Sequence, residues 1–205
     1  GSTVFSASAK EVQAATAGFK TIDGKTYYIK SDGSKQKGWM TLGGYKYYFN
    51  TKTGVQVKGW MKVNGKYTYY FTKGKGVMAT GWMTDSKGHK RYFNPKTGKL
   101  TTGWVNCSKG RKRYFTKGGG IMATGCLTNS KGQKRYFYKT SGYMATKWVK
   151  NKSKNISYYF ATSTGYMYTG LKTINQKNYY FKSNGVMAVS TSVTVNGITY
   201  SIAAD

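Results

Sequence analysis

One short pattern of apolar and polar positions recurs along most of the chain. Trp39, Trp60, Trp82 and Trp104 stand 21, 22 and 22 residues apart, Cys126 falls 22 later in the same slot, and Trp148 follows 22 after that. Phe19 and Leu171 hold the slot at the two ends. A fixed period of this length marks a repeat architecture. Eight units of about 20–23 residues begin at Gly18, Gly38, Gly59, Gly81, Gly103, Gly125, Lys147 and Gly170. The best-formed unit runs from Gly81 to Thr102. Trp82-Met83-Thr84 reads as a short strand, and Asp85 to Gly88 carries turn chemistry with glycine supplying the positive φ. His89 to Phe93 is the return strand, and Asn94 to Gly98 is a second turn leading through an arm to the next Gly-Trp. Each unit is therefore expected to be a hairpin plus a connecting arm.

The return strands carry two aromatic columns. Tyr28, Tyr48, Tyr70, Tyr92, Tyr114, Tyr136, Tyr159 and Tyr180 form one. Ile29, Phe49, Phe71, Phe93, Phe115, Phe137, Phe160 and Phe181 form the next. Neighbours on a strand point to opposite faces, so every hairpin carries a ring on each side. A lone hairpin is marginal in water, whereas stacked hairpins bury one face of each against the next. The fold class expected is all-β: a spiral β-solenoid of tandem hairpins. Met78, Met122, Met144, Met167 and Met187, two residues beyond the second-turn glycine, read as adaptable filler between units. The domain division is 1–17 as a linker or the remnant of a secretory signal, 18–189 as eight repeats, and 190–205 as a divergent capping segment.

Composition sharpens this picture. Among 205 residues, Lys and Arg number 34 against 5 acids, a formal charge of +29, alongside 20 Tyr, 9 Phe, 5 Trp and 27 Gly. So basic a chain is prone to disorder, but rings that bury large areas oppose it. With so few acids, the field must attract polyanions or be neutralised by one. No apolar run is long enough to span a membrane.

At this point the residues resemble a family. The pattern G-W-x4–5-G-x-x-Y-Y-F-x4–5-G-x-M-x-T, over about 18–189, is similar to the cell-wall-binding repeats of Gram-positive surface proteins. These include choline-binding modules, the glucan-binding repeats of glucansucrases and the C-terminal repeats of clostridial toxins. The resemblance implies ligands seated in grooves between consecutive hairpins, against the Gly-Trp aromatic and return-strand rings. It therefore points to Trp39, Trp60, Trp82, Trp104 and Trp148 with Tyr48, Tyr70, Tyr92 and Tyr114. One slot departs from the choline-binding form, which has an aromatic two residues before the second Tyr. Here the slot holds Thr26, Lys46, Thr68, Lys90, Lys112, Lys134, Ser157 and Asn178. Lysine beside a quaternary ammonium would oppose cation–π binding, so these repeats look closer to the glucan-binding and toxin forms.

Basic residues concentrate in three central units. Their turns read SKGHKRYF, SKGRKRYF and SKGQKRYF, bringing Lys90, Lys112 and Lys134 beside Arg91, Arg113 and Arg135. In a solenoid such positions align, and a polymer with regularly spaced phosphates could follow the track. Any single lysine reads equally as a solvated surface group, but solubility alone would be served by mixed charges.

Catalysis finds little here. The acids are Glu11, Asp23, Asp32, Asp85 and Asp205, with no paired-carboxylate arrangement. His89, the single histidine, sits in a turn with no orienting partner evident in the sequence. No metal-ligand cluster or cofactor motif is present. Cys126 replaces a ring and reads as a small buried residue, and Cys107 and Cys126 read as free thiols. The function expected is a non-catalytic, secreted module holding an anionic, teichoic-acid-like wall polymer through aromatic grooves and basic turns. Alternatives are a neutral glucan-binding domain and a host-receptor adhesive or toxin-like repeat domain. Specific nucleic-acid recognition is not expected, although charge alone gives non-specific DNA binding at low salt. The pattern sets no oligomeric state.

Overall fold

A computed structural model describes residues 16–203. The 1–17 segment, read above as linker or signal remnant, lies outside the described residues except for its last two positions. The chain divides into two compact units, at 1–101 and 102–205. Four hairpins occupy the first unit and five the second, each an isolated two-stranded antiparallel sheet. The first unit holds β1 (Gly18–Ile22) with β2 (Lys25–Ile29), β3 (Gly38–Leu42) with β4 (Tyr45–Phe49), β5 (Gly59–Val63) with β6 (Tyr67–Phe71), and β7 (Gly81–Thr84) with β8 (Lys90–Phe93). The second holds β9 (Gly103–Asn106) with β10 (Lys112–Phe115), β11 (Gly125–Thr128) with β12 (Lys134–Phe137), β13 (Lys147–Asn151) with β14 (Ile156–Phe160), β15 (Gly170–Ile174) with β16 (Lys177–Phe181), and β17 (Thr191–Val195) with β18 (Ile198–Ile202). The fold is the all-β solenoid of tandem hairpins expected from the period.

The first strands of eight hairpins begin at the eight predicted unit starts, and a ninth hairpin occupies 191–202. After the first unit the starting residue takes a left-handed backbone: Gly38, Gly59, Gly103 and Gly170 have φ of 73°, 84°, 78° and 78°. Glycine adopts this without a Cβ penalty, whereas Lys147 holds the same slot at φ 64°. Several hairpins close through two-residue turns with both φ positive, such as Asp23-Gly24 at 52° and 75°, the turn shape matched to strand twist.

Alternation then sorts the rings. Trp39 pairs with Tyr48 and Met40 with Tyr47, so Trp39 and Tyr48 share one face while Tyr47 and Phe49 share the other. The phenylalanine column is the core: Phe49, Phe71, Phe93, Phe137 and Phe181 are all 0% exposed. In the first unit Tyr69, Phe71 and Met78 form one buried cluster. In the second, Ala123, Phe137 and Met144 form another, and Tyr159, Ile174 and Phe181 a third.

The arms lock neighbouring hairpins together. Met78 bridges Phe71 of its own hairpin, while its N–H donates to the Lys46 carbonyl of the preceding hairpin at 2.8 Å. Met144 to Lys112, Met167 to Lys134 and Met187 to Ser157 repeat this bond in the second unit, at 2.8, 2.8 and 2.9 Å. The methionine column is thus filler and staple together. Its side chain demands a glycine opposite: a Cβ on Gly98, Gly142, Gly165 or Gly185 would overlap the sulfur of Met78, Met122, Met144 or Met167.

Candidate functional site

Trp39, Trp60, Trp104 and Trp148 each deliver a ring to a seam with the following hairpin. Trp39 lies 5.0 Å from Tyr48 across its own hairpin, and 5.1 Å from Tyr69 and 5.9 Å from Phe71 of the next. Trp148 repeats this with Tyr159, Tyr179 and Phe181 at 5.0, 5.0 and 6.0 Å. Phe19 makes a third such corner with Tyr28 at 5.1 Å and Tyr47 at 5.2 Å. The five tryptophans keep between 41% and 49% of their surface in solvent. One face of each ring is packed and another is open. Trp60, Trp82 and Trp104 stand 4.9 Å from Tyr70, Tyr92 and Tyr114 in the same way. The third ring of a corner comes from the tyrosine that opens the Tyr-Tyr-Phe run of the following hairpin, not from the slot occupied by Lys46 and its equivalents. Those slot residues supply the carbonyls that the arms bond.

Arg91 and Arg135 stand where that third ring would be. Arg91 places its guanidinium 5.3 Å from the Trp60 ring centre, and its Nη1 donates to Asp85 at 2.8 Å. Arg135 lies 5.0 Å from Trp104 and 4.2 Å from Tyr166, with Nε donating to the Thr164 carbonyl at 2.7 Å. Arg113 covers Tyr143 at 4.2 Å and bonds the Ser141 carbonyl at 2.7 Å. At the Trp60 and Trp104 seams a side chain of the protein is therefore already the cation against the ring.

Lysines take the outer positions. Lys90, Lys112 and Lys134 pair across their hairpins with Thr84, Asn106 and Thr128. In the second unit Lys131, Lys134 and Lys172 line a groove of about 510 Å³ together with Thr164, Tyr166, Tyr168 and Thr169. A second cavity, also about 510 Å³, adjoins it through Lys134 and Met167 and contains Cys126. Cys126 is exposed, not buried as its size suggested, because its slot lies on the half-open ring face; both cysteines are free. Lys131 belongs to the basic SKGQKRYF turn read from the sequence, whereas the groove-lining Lys172 escaped sequence reasoning, since nothing in the period says which arms its strand lies beside.

Asp85 is the hub of its turn. Its carboxylate accepts the N–H groups of Lys87 and His89 at 2.9 Å each and the Arg91 guanidinium. Arg91 above all holds its pKa down, to about 2. His89 does have an orienting partner, with Nδ1 3.5 Å from Asp85, which four-residue spacing could have signalled. That carboxylate is already neutralised by Arg91, and the group closes a turn. Among the described residues, no three His, Cys, Asp or Glu side chains gather as metal ligands, and no helix is long and apolar enough to cross a membrane.

Stacked hairpins with half-open aromatic seams define a repetitive binding module. Three overlapping segments, 16–57, 37–79 and 57–103, match the choline-binding repeat, and 169–187 matches a putative cell wall binding repeat. The chain belongs to this cell-wall-binding repeat family. It is similar to choline binding protein F of Streptococcus pneumoniae, at 31% identity over 88% of this chain and 59% of that one, with a TM-score of 0.71. The same protein in the presence of a peptidoglycan analogue, a tetrasaccharide-pentapeptide, matches at 30% identity over 88% and 60%, with a TM-score of 0.70. The choline-binding domain of CbpL from Streptococcus pneumoniae matches at 25% identity over 92% and 94%, with a TM-score of 0.54. The chain thus spans about three fifths of choline binding protein F. Among curated proteins no relative matches.

Proposed function

We propose that this cell-wall-binding module grips an anionic wall polymer of the teichoic-acid type, as the attachment part of a secreted or surface protein. The observation that carries the reading is the groove where Lys131, Lys134 and Lys172 converge beside Thr164 and Thr169. Ammonium groups on flexible stems suit the phosphates of a flexible polymer, and hydroxyls complete their hydrogen bonding. A net charge of +29 supplies the long-range attraction. The arginines, committed to internal partners, act in this reading by holding the lysine-bearing strands in place. Structures of a relative with a peptidoglycan analogue agree with a wall ligand.

The open corner of Trp39, Tyr48 and Tyr69 favours a second contact on the same polymer. Three rings around one point can take a quaternary ammonium substituent by cation–π attraction. Phosphates on lysines and ammonium groups in ring corners are compatible on one chain.

Purified walls, native and stripped of teichoic acid, test the proposal. Retention on native walls is expected to fall with rising salt, to be lost on stripped walls, and to weaken when Lys131, Lys134 and Lys172 become Gln. Equal, salt-insensitive retention on both wall preparations overturns it. Retention by dextran gel instead would assign the module to a neutral glucan.

A further inference from the structure

Between the end hairpins, whose slots hold Phe19 and Leu171, one seam departs from the rest. In the β11–β12 hairpin the tryptophan slot holds Cys126, which pairs with Tyr136 as Trp148 pairs with Tyr159. Around Trp148 the indole packs among Tyr159, Tyr179 and Phe181. The counterparts around Cys126 are Tyr136, Tyr158 and Phe160, and a thiol cannot fill the space between them. What remains is a cavity of about 510 Å³ walled by these residues and Tyr138. That volume lies in the range of small-molecule sites.

We propose that the Cys126 cavity is a sugar-ring subsite, seating one pyranose unit of a wall glycan where five other hairpins place an indole. Tyr136 and Tyr138 stand at 89° with centroids 5.8 Å apart, so a guest meets one ring by its face and the other by its edge. Aromatic faces take the apolar C–H side of a sugar ring. Lys134, Lys150 and Asn151 also line the cavity and can donate to hydroxyls. Partial burial and the neighbouring Tyr136 push the Tyr138 phenol above its ordinary pKa, so it stays a neutral hydroxyl, able to donate and accept. Chemistry also decides against an ammonium guest here. The missing indole is the strongest cation–π surface, and two lysines stand at the cavity in its place. Because Lys134 and Met167 line both this cavity and the basic groove, a polymer can lay a sugar in one and a phosphate in the other. The wall as the source of that sugar rests on the proposed function; the preference for a pyranose does not.

The exposed thiol is its own reporter. Cys107→Ser leaves Cys126 as the single thiol of the chain, since there are two cysteines. Its alkylation by iodoacetamide is followed by mass, alone and with chitotetraose or isomaltotetraose. At about ten times Kd, a saccharide filling the cavity slows alkylation about tenfold. Protection by chitotetraose assigns an aminosugar strand, and protection by isomaltotetraose a glucan; either supports the subsite. Protection by neither overturns it. Cys126→Trp supplies the residue that five other hairpins carry in this slot and should abolish saccharide binding by calorimetry while salt-dependent retention on walls persists. Undiminished saccharide binding by that variant also overturns the subsite. Loss of wall retention by the unmodified protein, with thiol protection intact, would instead sink the polymer reading and leave the subsite standing.

Discussion

Arg135 lies with its guanidinium 5.0 Å from the centre of the Trp104 ring, in the slot where Tyr69 meets Trp39. The same seam is thus built in two ways. A tyrosine leaves a corner of three rings able to accept a cation, and an arginine puts the cation there permanently. Arg135→Ala is expected to cost about 1–2 kcal/mol, from a ring contact and a charged hydrogen bond. Arg135→Tyr should keep most of that stability and open one further corner. Calorimetric titration with tetramethylammonium then reads one more site than in the parent. An unchanged stoichiometry would show that the arginine is not what closes the seam.

The phenylalanine and tryptophan columns should separate stability from binding. Phe137 is fully enclosed, and Phe137→Ala is expected to cost about 3–5 kcal/mol in chemical unfolding. Trp148 keeps 41% of its surface in solvent, so Trp148→Ala should cost clearly less while lowering wall retention more than its stability loss explains. Equal losses of stability from the two variants would place both columns in the core.

Sequence and structure agree wherever period 2 and the repeat decide the outcome. Phe49 or Phe93 had to be core, because each neighbours a tyrosine that faces the other way on a strand. The Gly-Trp junctions marked the strand starts because only the glycine slot takes positive φ cheaply. What stayed hidden depends on the rotation between hairpins. That Trp39 meets Tyr69, thirty residues on, cannot be read from either unit alone. Arg135 looked like a surface group because its partners, Trp104 and Tyr166, belong to other units. The methionine staples act through backbone N–H groups, which leave no side-chain signature. The ninth hairpin lacks Gly-Trp and Tyr-Tyr-Phe, but Asn196-Gly197 between alternating strands was a legible turn signal.

Gly142 is held by two constraints that can be separated. Its φ is 73°, and an added Cβ would overlap Met122. Gly142→Ala should therefore cost about 2–4 kcal/mol, roughly 1 from the backbone and the rest from the collision. Combining it with Met122→Ala removes the collision, so the double variant should unfold at less than the summed cost of the two singles. Strict additivity in urea melts would mean that the methionine simply moves aside.

Asp85 gives the chain one predictable acid response. Its folded pKa, about 2, lies below the ordinary value of 3.8, chiefly because Arg91 bonds the ionised carboxylate. A depressed pKa means that the folded state binds its proton less readily than the unfolded state does. The stabilisation is therefore fully present above about pH 4 and is lost as pH falls through about 2. Asp85→Asn removes this stabilisation, so the urea midpoints of parent and variant should differ most near neutral pH and converge toward pH 2. Asp85→Asn also takes from Arg91 a charged hydrogen bond that helps hold it beside Trp60, so the Trp60 fluorescence of the variant should become more sensitive to added tetramethylammonium. Parallel midpoint curves across that window would place the proton elsewhere than on Asp85.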